Sequence, residues 1–212
     1  MTTTLDSQKG SGELAAVEVH GITRSSFILR GALTAGAALG AGAVSPFVSS
    51  ALAADATTDL DILNFALTLE YLEANFYNVK AKTVNLSGDA KTLAASFGAE
   101  ETAHVDALTA AINAGGGKPV AMPTFDFPVT DQASFLKLAY TLENVGVGAY
   151  NGAGPSLVSK ALLAAAGSIV QVEARHAAAI GLLTGQSVVP NGGFDKPLTK
   201  TQVLAAAGPL IK

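Results

Sequence analysis

The chain has 212 residues, 49% of them apolar and 14% charged, with a net charge of −4. This composition is typical of one globular domain, and a negative charge without any basic run argues against a nucleic-acid partner. Cysteine is absent, which excludes disulfides, thiolate metal sites and a thiol nucleophile. A metal ion could be held only by oxygen and nitrogen ligands, a set that suits iron, manganese or zinc.

The first 53 residues differ from the rest of the chain and predict an export signal. Residues 31–54 carry no charge and are rich in Ala and Gly, and the Ala-Leu-Ala at 51–53 has the small-x-small pattern of a signal-peptidase site. Residues 23–29 are similar to a twin-arginine signal, but a serine stands in place of one arginine, so the general secretory route stays open. We predict an exported protein, periplasmic or extracellular, with no stable membrane insertion once residues 1–53 are removed. The alternative is a retained membrane anchor, because the segment is long enough to span a bilayer.

Four long helices and one short helix are predicted for the mature chain. Apolar residues recur at helical spacing, as at Leu60, Leu63 and Leu67 in the first helix. The predicted helices cover about 58–80, 89–113, 131–150 and 156–184, and the tail, 185–212, holds a short helix at 201–207.

The lengths of the connections predict how these helices are arranged. The first and third connections are short and therefore join antiparallel neighbours. The middle connection, residues 114–130, can span ~56 Å when extended, more than the ~36 Å length of a 24-residue helix. It can therefore start the third helix parallel to the second. The prediction is an all-α four-helix bundle over residues 54–184, with one long crossover between helices 2 and 3.

One pattern of polar residues occurs twice along these helices. It consists of a glutamate followed seven positions later by a tyrosine and, about 30 residues after the glutamate, a Glu-x-x-His. Its members are Glu70, Tyr77, Glu101 and His104, and then Glu143, Tyr150, Glu173 and His176. Carboxylates and imidazoles on apolar helices cost stability unless something pairs with them, and residues three apart share a helix face. Two metal ions would pair with four glutamates and two histidines.

The two tyrosines are placed to support such a site. Seven residues is nearly two turns, so each hydroxyl could donate to a metal-bound carboxylate at a neighbouring position and orient it. The alternative is that Tyr77 and Tyr150 are core aromatics. Two ions a few ångströms apart, bridged by carboxylates, would keep positions open for dioxygen, peroxide or water. This arrangement supports redox chemistry with iron or manganese and hydrolytic chemistry with other metals.

The pattern resembles the ferritin-like superfamily, whose dimetal sites take one Glu from each of two helices and a Glu-x-x-His from each of the other two. Within it the chain is most similar to the exported ferritin-like domain group that includes desiccation-related proteins. The stretches that carry this likeness are Leu-Glu-Tyr-Leu-Glu-Ala-Asn-Phe-Tyr at 69–77, Leu-Glu-Asn-Val-Gly-Val-Gly-Ala-Tyr at 142–150, and the tail at 194–211. The resemblance covers about residues 57–212.

The resemblance also implies a ligand set and a chemistry. The terminal ligands would be Glu70 and Glu143, the bridging ligands Glu101 and Glu173, and the histidine ligands His104 and His176. It implies two metal ions, with iron favoured and manganese as the alternative, and a small oxidant such as peroxide or dioxygen as the partner. A homo-oligomer is left open.

Glu73 breaks the symmetry of the two halves, because its counterpart is Gly146. A similar extra glutamate is found in rubrerythrin-like peroxidases, where it responds to the metal oxidation state. Glu73 is therefore a candidate extra ligand; the alternative is a solvated glutamate on the first helix. Glu100 is predicted to point off the metal face, at the surface or in contact with a ligand. Gly146 and Gly148 are predicted to allow close packing of the third helix or room for a ligand.

Three functions compete at this stage. The first is an exported dimetal oxidoreductase, peroxidase- or ferroxidase-like, that protects the envelope under oxidative or drying stress. The second is a non-catalytic structural or binding bundle with a structural or vestigial metal site. The third, mineral storage, is less favoured because it needs a closed shell of many subunits, of which the sequence gives no sign.

Overall fold

A computed structural model describes residues 58–212, which form four long helices and one short helix. The long helices are α1 (Asp59–Asn78), α2 (Gly88–Ala114), α3 (Gln132–Ala153) and α4 (Lys160–Thr184), and the tail carries α5 (Lys200–Ala207). Single 3-10 turns occupy Lys80–Thr83, Gly154–Ser156 and Gly208–Leu210. The predicted all-α class is confirmed. The predicted export signal, residues 1–53, lies outside the described residues and stays a prediction.

Capping residues set where the helices begin and end. In α1 the Thr58 hydroxyl accepts a hydrogen bond from the Asp61 N–H, and the Asp61 carboxylate accepts one from the Thr58 N–H. Asp131 and Ser134 form the same reciprocal pair at the start of α3. Such pairs satisfy backbone N–H groups that have no partner in the first turn of a helix. Gly185 ends α4 in a left-handed conformation, with φ of 71°, as is common for a glycine at this position.

The connection from α2 to α3 runs the length of the bundle. Near its start the Val120 N–H donates to the side-chain oxygen of Asn64, in the first turns of α1, at 2.7 Å. At its far end the side-chain oxygen of Gln132, which begins α3, accepts from the Ser87 N–H, just ahead of α2, at 2.9 Å. α3 therefore starts beside the start of α2. This confirms the predicted single crossover, in which α1 packs along α2 and α3 along α4.

Buried apolar side chains form two clusters, one toward each end of the bundle. The cluster where α2 and α3 begin is aromatic, with Phe76 stacked on Phe135 at 4.3 Å between ring centroids. The cluster at the other end is aliphatic apart from one tyrosine. Its buried members are Leu63, Leu67, Leu108, Ile112, Tyr150 and Ile169. On each long helix the glutamates and histidines of the repeated pattern lie between these two clusters.

The C-terminal tail packs along α3. Val203 of α5 is fully buried, and the Leu198 N–H donates to the carbonyl oxygen of Gly148 at 2.8 Å. A Cβ atom on Gly148 would lie 2.6 Å from the Leu198 side chain, and one on Gly152 would lie 1.9 Å from the Leu198 carbonyl oxygen. The glycines of α3 that face the tail therefore permit a close approach of backbone to backbone, as predicted for Gly148. The end of the tail also pairs with the crossover, through an antiparallel bridge between Phe125 and Ile211.

Among residues 58–212, no helix combines the length and the apolar character that a membrane crossing requires.

We expect Gly152→Ala to destabilise the protein, because its Cβ atom would overlap the Leu198 carbonyl and displace the tail. Gly167→Ala in α4 is the matched control, since a Cβ atom there meets no atom within 4 Å and should stabilise the helix by ~1 kcal/mol. Urea denaturation followed by circular dichroism measures both. A Gly152→Ala variant as stable as the parent would contradict the close packing of the tail against α3.

Candidate metal centre

The six predicted ligands come from all four long helices and meet in one buried layer. Each helix presents them on its core-facing side, between the aromatic and the aliphatic clusters. They are Glu70 of α1, Glu101 and His104 of α2, Glu143 of α3, and Glu173 and His176 of α4. All four glutamates are fully buried, and the histidines are 9% and 2% exposed. The repeated spacing thus places these side chains at one level of the bundle.

Their ligand atoms form two groups, in each of which all atoms lie within 4.8 Å of one another. The first group is Glu70, Glu101, His104 and Glu173, and the second is Glu101, Glu143, Glu173 and His176. Glu101 and Glu173 belong to both groups. Two neighbouring sites that share two carboxylates are therefore present in the described part of the chain.

The two shared carboxylates each turn one oxygen toward each histidine. Glu101 places Oε2 3.1 Å from His104 Nδ1 and Oε1 3.0 Å from His176 Nδ1. Glu173 places Oε1 3.1 Å from His104 Nδ1 and Oε2 4.0 Å from His176 Nδ1. A carboxylate that bridges two ions needs this disposition of its oxygens.

The other two glutamates each face one histidine. Glu70 Oε2 lies 3.2 Å from His104 Nδ1, and Glu143 Oε2 lies 3.3 Å from His176 Nδ1. The site therefore has two similar halves, each with one histidine and one outer glutamate, joined by the two shared carboxylates. This is the disposition that the resemblance implies for terminal ligands, although the role of each residue as a ligand stays a prediction.

Several polar atoms of this layer are buried without a hydrogen-bond partner. Among the described residues they are Glu101 Oε1, Glu143 Oε2, both oxygens of Glu173, and His176 Nδ1. His176 Nδ1 lies close to two carboxylates but is not aligned for a hydrogen bond to either one. Buried polar atoms in native proteins are rarely left unpaired. A buried set of oxygen and nitrogen atoms that converge without pairing fits metal ions, and this cluster could hold them.

Both tyrosines of the repeated pattern hold an outer glutamate from the opposite half of the chain. The Tyr77 hydroxyl donates to Glu143 Oε1, and the Tyr150 hydroxyl donates to Glu70 Oε1, each at 2.5 Å. In each glutamate the second oxygen, Oε2, is the one that faces a histidine. Burial, followed by the nearby carboxylates, raises the pKa of both phenols well above 10. They therefore remain protonated donors.

Comparison with known proteins agrees with this geometry. Residues 58–186 match the sequence model of the ferritin-like domain, which is more than half of the chain. The chain belongs to the ferritin-like domain family. Its fold is similar to that of a conserved hypothetical protein, rv2844, from Mycobacterium tuberculosis, with a TM-score of 0.54 and 18% identity over 66% of this chain and 93% of that one. At this identity the likeness shows the fold alone. No curated protein matches the chain.

Burial dominates the ionisation of most of the buried glutamates in this ferritin-like domain. It raises the pKa of Glu70 to about 7, and it raises the pKa of Glu73 and Glu173 well above the usual range, with neighbouring carboxylates adding to the effect. Glu101 behaves differently. Burial alone would raise its pKa, but contacts with the two histidines outweigh burial and lower the pKa to about 2.

The histidines become charged when the carboxylates are their only partners. Burial opposes the charged form of His104, but Glu101, Glu173 and Glu70 outweigh it and raise its pKa to about 12. For His176, Glu101 and Glu143 outweigh burial in the same way and raise the pKa to about 11. Without metal, the site is therefore held together by protons that a bound cation would displace.

His176 has two partners that His104 lacks among the described contacts. Its Nε2 donates to Glu100 Oε2 at 2.6 Å, and its ring stacks on Phe97 at 3.9 Å between centroids. A proton fixed on Nε2 leaves Nδ1 free as a ligand. Glu100 was predicted to lie at the surface or against a ligand; its side chain is 45% exposed and touches the predicted ligand His176. Sequence reasoning missed Phe97, although its position one turn before Glu101 places it on the same helix face.

Glu73 is buried beside this layer, at 3% exposure. The alternative of a solvated glutamate is therefore wrong. A Cβ atom on Gly146 would lie 3.4 Å from Glu73 Oε1 and 3.6 Å from Glu173 Oε2, which are ordinary contact distances, so Gly146 lies beside both carboxyls. Glu73 is not part of either ligand group, and its role as an extra ligand stays a prediction. Arg175, inside the second Glu-x-x-His, is exposed.

We expect Glu100→Ala to weaken the binding of one of two metal ions, because the tautomer of His176 is no longer fixed. Loss of such a partner typically costs ~10–100-fold in metal affinity. Glu100→Gln is the matched control, since its amide oxygen can still accept from Nε2. Calorimetric titration of the metal-free protein with ferrous or cobaltous ions measures both variants. Equal weakening of both sites in Glu100→Ala would contradict a role limited to His176.

We expect the metal-free protein to lose stability as the pH rises from about 6 to about 9. The pKa of each histidine is raised, so the stability it contributes is complete below pH 6.5 and is lost on the way to about 11–12. The raised pKa values of the buried carboxyls act in the same direction above pH 4.5. Denaturation midpoints in urea at the two pH values measure this.

The control for the pH prediction is the metal-loaded protein. Metal competes with protons for the same ligands, so the stabilisation by metal should increase over this range of pH. A midpoint of the metal-free protein that rises from pH 6 to pH 9 would show that protons do not hold the site together.

Proposed function

We propose that this ferritin-like domain protein is an exported dimetal-carboxylate protein that binds two iron ions, or manganese in their place, and carries out peroxide- or dioxygen-linked redox chemistry. Its activity would be peroxidase- or ferroxidase-like and would serve in stress protection. The observation that supports this proposal is the pair of overlapping ligand groups. In both Glu101 and Glu173, one carboxylate oxygen faces His104 and the other faces His176.

The charge of the cluster favours two divalent cations. The four glutamates of the two ligand groups supply four negative charges, which equal the charge of two such ions, and the histidines supply neutral nitrogen donors. Glu73 is a fifth buried carboxyl beside them. The negative charge of Glu73 would offset part of the positive charge that is added when the ions become trivalent. This favours a metal that changes oxidation state over zinc. Ligand sets rich in oxygen also suit iron and manganese.

The roles of the protein groups follow from their contacts. When bound, two ferrous ions supply the two electrons that, with two protons, reduce hydrogen peroxide to two water molecules while the ions become ferric. Glu101 and Glu173 would fix the distance between the two positions. Tyr77 and Tyr150 hold Oε1 of the outer glutamates and so keep Oε2 turned inward. The apolar clusters on either side limit access of water.

The setting of this activity is part of the proposal. An export signal at residues 1–53 would place the mature protein in the periplasm or outside the cell, with a small oxidant as its partner and no nucleic acid. A homo-oligomer remains open, and a size measurement distinguishes a small assembly from the many-subunit shell that mineral storage requires.

The competing function is a non-catalytic bundle of the desiccation-related type, in which any metal is structural or vestigial. Such a protein would bind zinc as readily as iron, gain stability from either ion, and consume no oxidant. Comparison of zinc and iron loading, each followed by a peroxide-consumption assay, separates it from the redox function.

We expect protein purified without added metal to contain about two iron or manganese ions per chain, the number that such carboxylate sites hold. Glu101→Ala should lose them together with peroxide- and dioxygen-driven turnover, because this carboxylate faces both halves of the site. Elemental analysis and activity assays measure the two effects. Asp106→Ala is the control on the same helix, since Asp106 is exposed. If the purified protein contains no metal and also does not bind ferrous iron under anaerobic conditions, the proposal is rejected and the non-catalytic bundle is favoured.

A further inference from the structure

A cavity of about 60 Å³ lies at the end of the bundle where α1 and α4 begin and α2 and α3 end. Its walls come from all four long helices and are apolar except for Tyr150. The lining residues used below are Ile62, Ala107, Leu108, Ala149, Tyr150, Ala165 and Ile169. A water molecule needs ~10–15 Å³ of such space and also two to four polar partners. The cavity therefore has room for a small molecule but offers water almost nothing to bind.

The cavity arises from a difference between the two halves of the repeated pattern. Positions in α1 and α3 correspond at a spacing of 73 residues, as Glu70 does to Glu143, and positions in α2 and α4 correspond at 72, as Glu101 does to Glu173. Three phenylalanines fill the opposite end of the bundle, and smaller residues that line the cavity stand at their counterparts. The pairs are Phe76 and Ala149, Phe97 and Ile169, and Phe135 and Ile62. One end is thus filled by stacked rings while the other is left partly open.

The cavity lies next to the candidate metal centre and shares Tyr150 with it. The ring of Tyr150 forms part of its wall, and the hydroxyl of the same residue donates to Glu70 Oε1. Leu108 lies one turn after His104, and Ile169 lies one turn before Glu173. Along α2 and α4, the cavity is therefore one helical turn from the ligand layer.

The cavity lies close to the surface of the bundle. Ala107 of α2 and Ala165 of α4 line it and are also exposed to solvent. Apolar cavities of this kind stay dry but take up small apolar molecules such as xenon.

We propose that this cavity binds a small apolar molecule of the size of dioxygen beside the metal centre. The choice of dioxygen as the occupant rests on the proposed function, whereas the binding of a small apolar molecule does not. Peroxide, which needs hydrogen-bond partners, would reach the centre by another route. The cavity would therefore bind dioxygen, which is apolar, but not peroxide, which is polar.

Xenon is the probe, because it is small and apolar and its binding does not require a metal ion. In the metal-free protein, xenon should shift the methyl resonances of Ile169 and Leu108, while the methyl resonance of Ile180, buried in the aromatic cluster, should not move. Absence of a shift at Ile169 and Leu108 would overturn the proposal. This part of the test needs no variant and no metal, so it stands even if the redox function fails.

Two variants fill the cavity with the residue found at the opposite end. Ile169→Phe copies Phe97, and Ala149→Phe copies Phe76; the first adds less volume and serves if the second does not fold. Each folded variant should lose the xenon shift at Leu108, whereas Ala164→Phe, at an exposed position of α4, should keep it. Shifts that persist in a folded, filled variant would place xenon elsewhere and overturn the assignment.

The iron-loaded protein tests the identity of the occupant. Ile169→Phe should slow the oxidation of bound ferrous iron by dioxygen relative to Ala164→Phe, with no loss of iron content. Oxidation by peroxide should be unaffected, because peroxide is not expected to use an apolar route. Equal rates with dioxygen in the two variants would overturn dioxygen as the occupant. Failure of both variants and of the parent to bind iron would instead count against the proposed function.

Discussion

The burial of five carboxyl groups in an apolar bundle is the constraint on which the rest of the described structure depends. Four of them, Glu70, Glu101, Glu143 and Glu173, are buried in one layer, and Glu73 is buried beside it. Transfer of an isolated charge into such a core is very unfavourable, so a group there is either protonated or paired with a cation. Two charged histidines can offset only two of the five carboxylates. The remaining charge must be removed by protons or by bound cations, which explains why most of these carboxyls have raised pKa values.

This constraint also explains features of the fold away from the layer itself. The carboxyls must come from four helices at one level, which the long crossover permits by placing the start of α3 beside the start of α2. Each tyrosine hydroxyl donates a hydrogen bond to one oxygen of an outer glutamate, which stabilises the buried carboxylate without changing its charge. Gly146 of α3 lies beside the carboxyls of Glu73 and Glu173.

Much of the fold and the candidate site could be predicted from sequence, because both follow from spacing along single helices. Glu101 and His104 share a face whatever their neighbours are, and the crossover follows from the reach of an extended chain. Contacts between distant helices could not be predicted in this way. The choice of Glu143 rather than Glu70 as the partner of Tyr77 depends on the rotation of α1 against α3, which no local spacing fixes. The contact between Leu198 and Gly152 likewise depends on where the C-terminal tail packs against α3.

The two halves of the centre share a ligand pattern but not an environment. His176 is held on its outer side by Glu100 and Phe97, and its side chain is 2% exposed, whereas that of His104 is 11% exposed. The end of the bundle near Tyr77 is filled by aromatic rings, and the end near Tyr150 contains the cavity. Two identical ions bound at the two positions would therefore differ in their access to small molecules and in the contacts that hold their histidine ligands. The internal repeat supplies a symmetric set of donors. The residues around it give His176 an additional hydrogen bond and a stacked ring, and they leave the cavity beside Tyr150, whose hydroxyl donates to Glu70 of the other half.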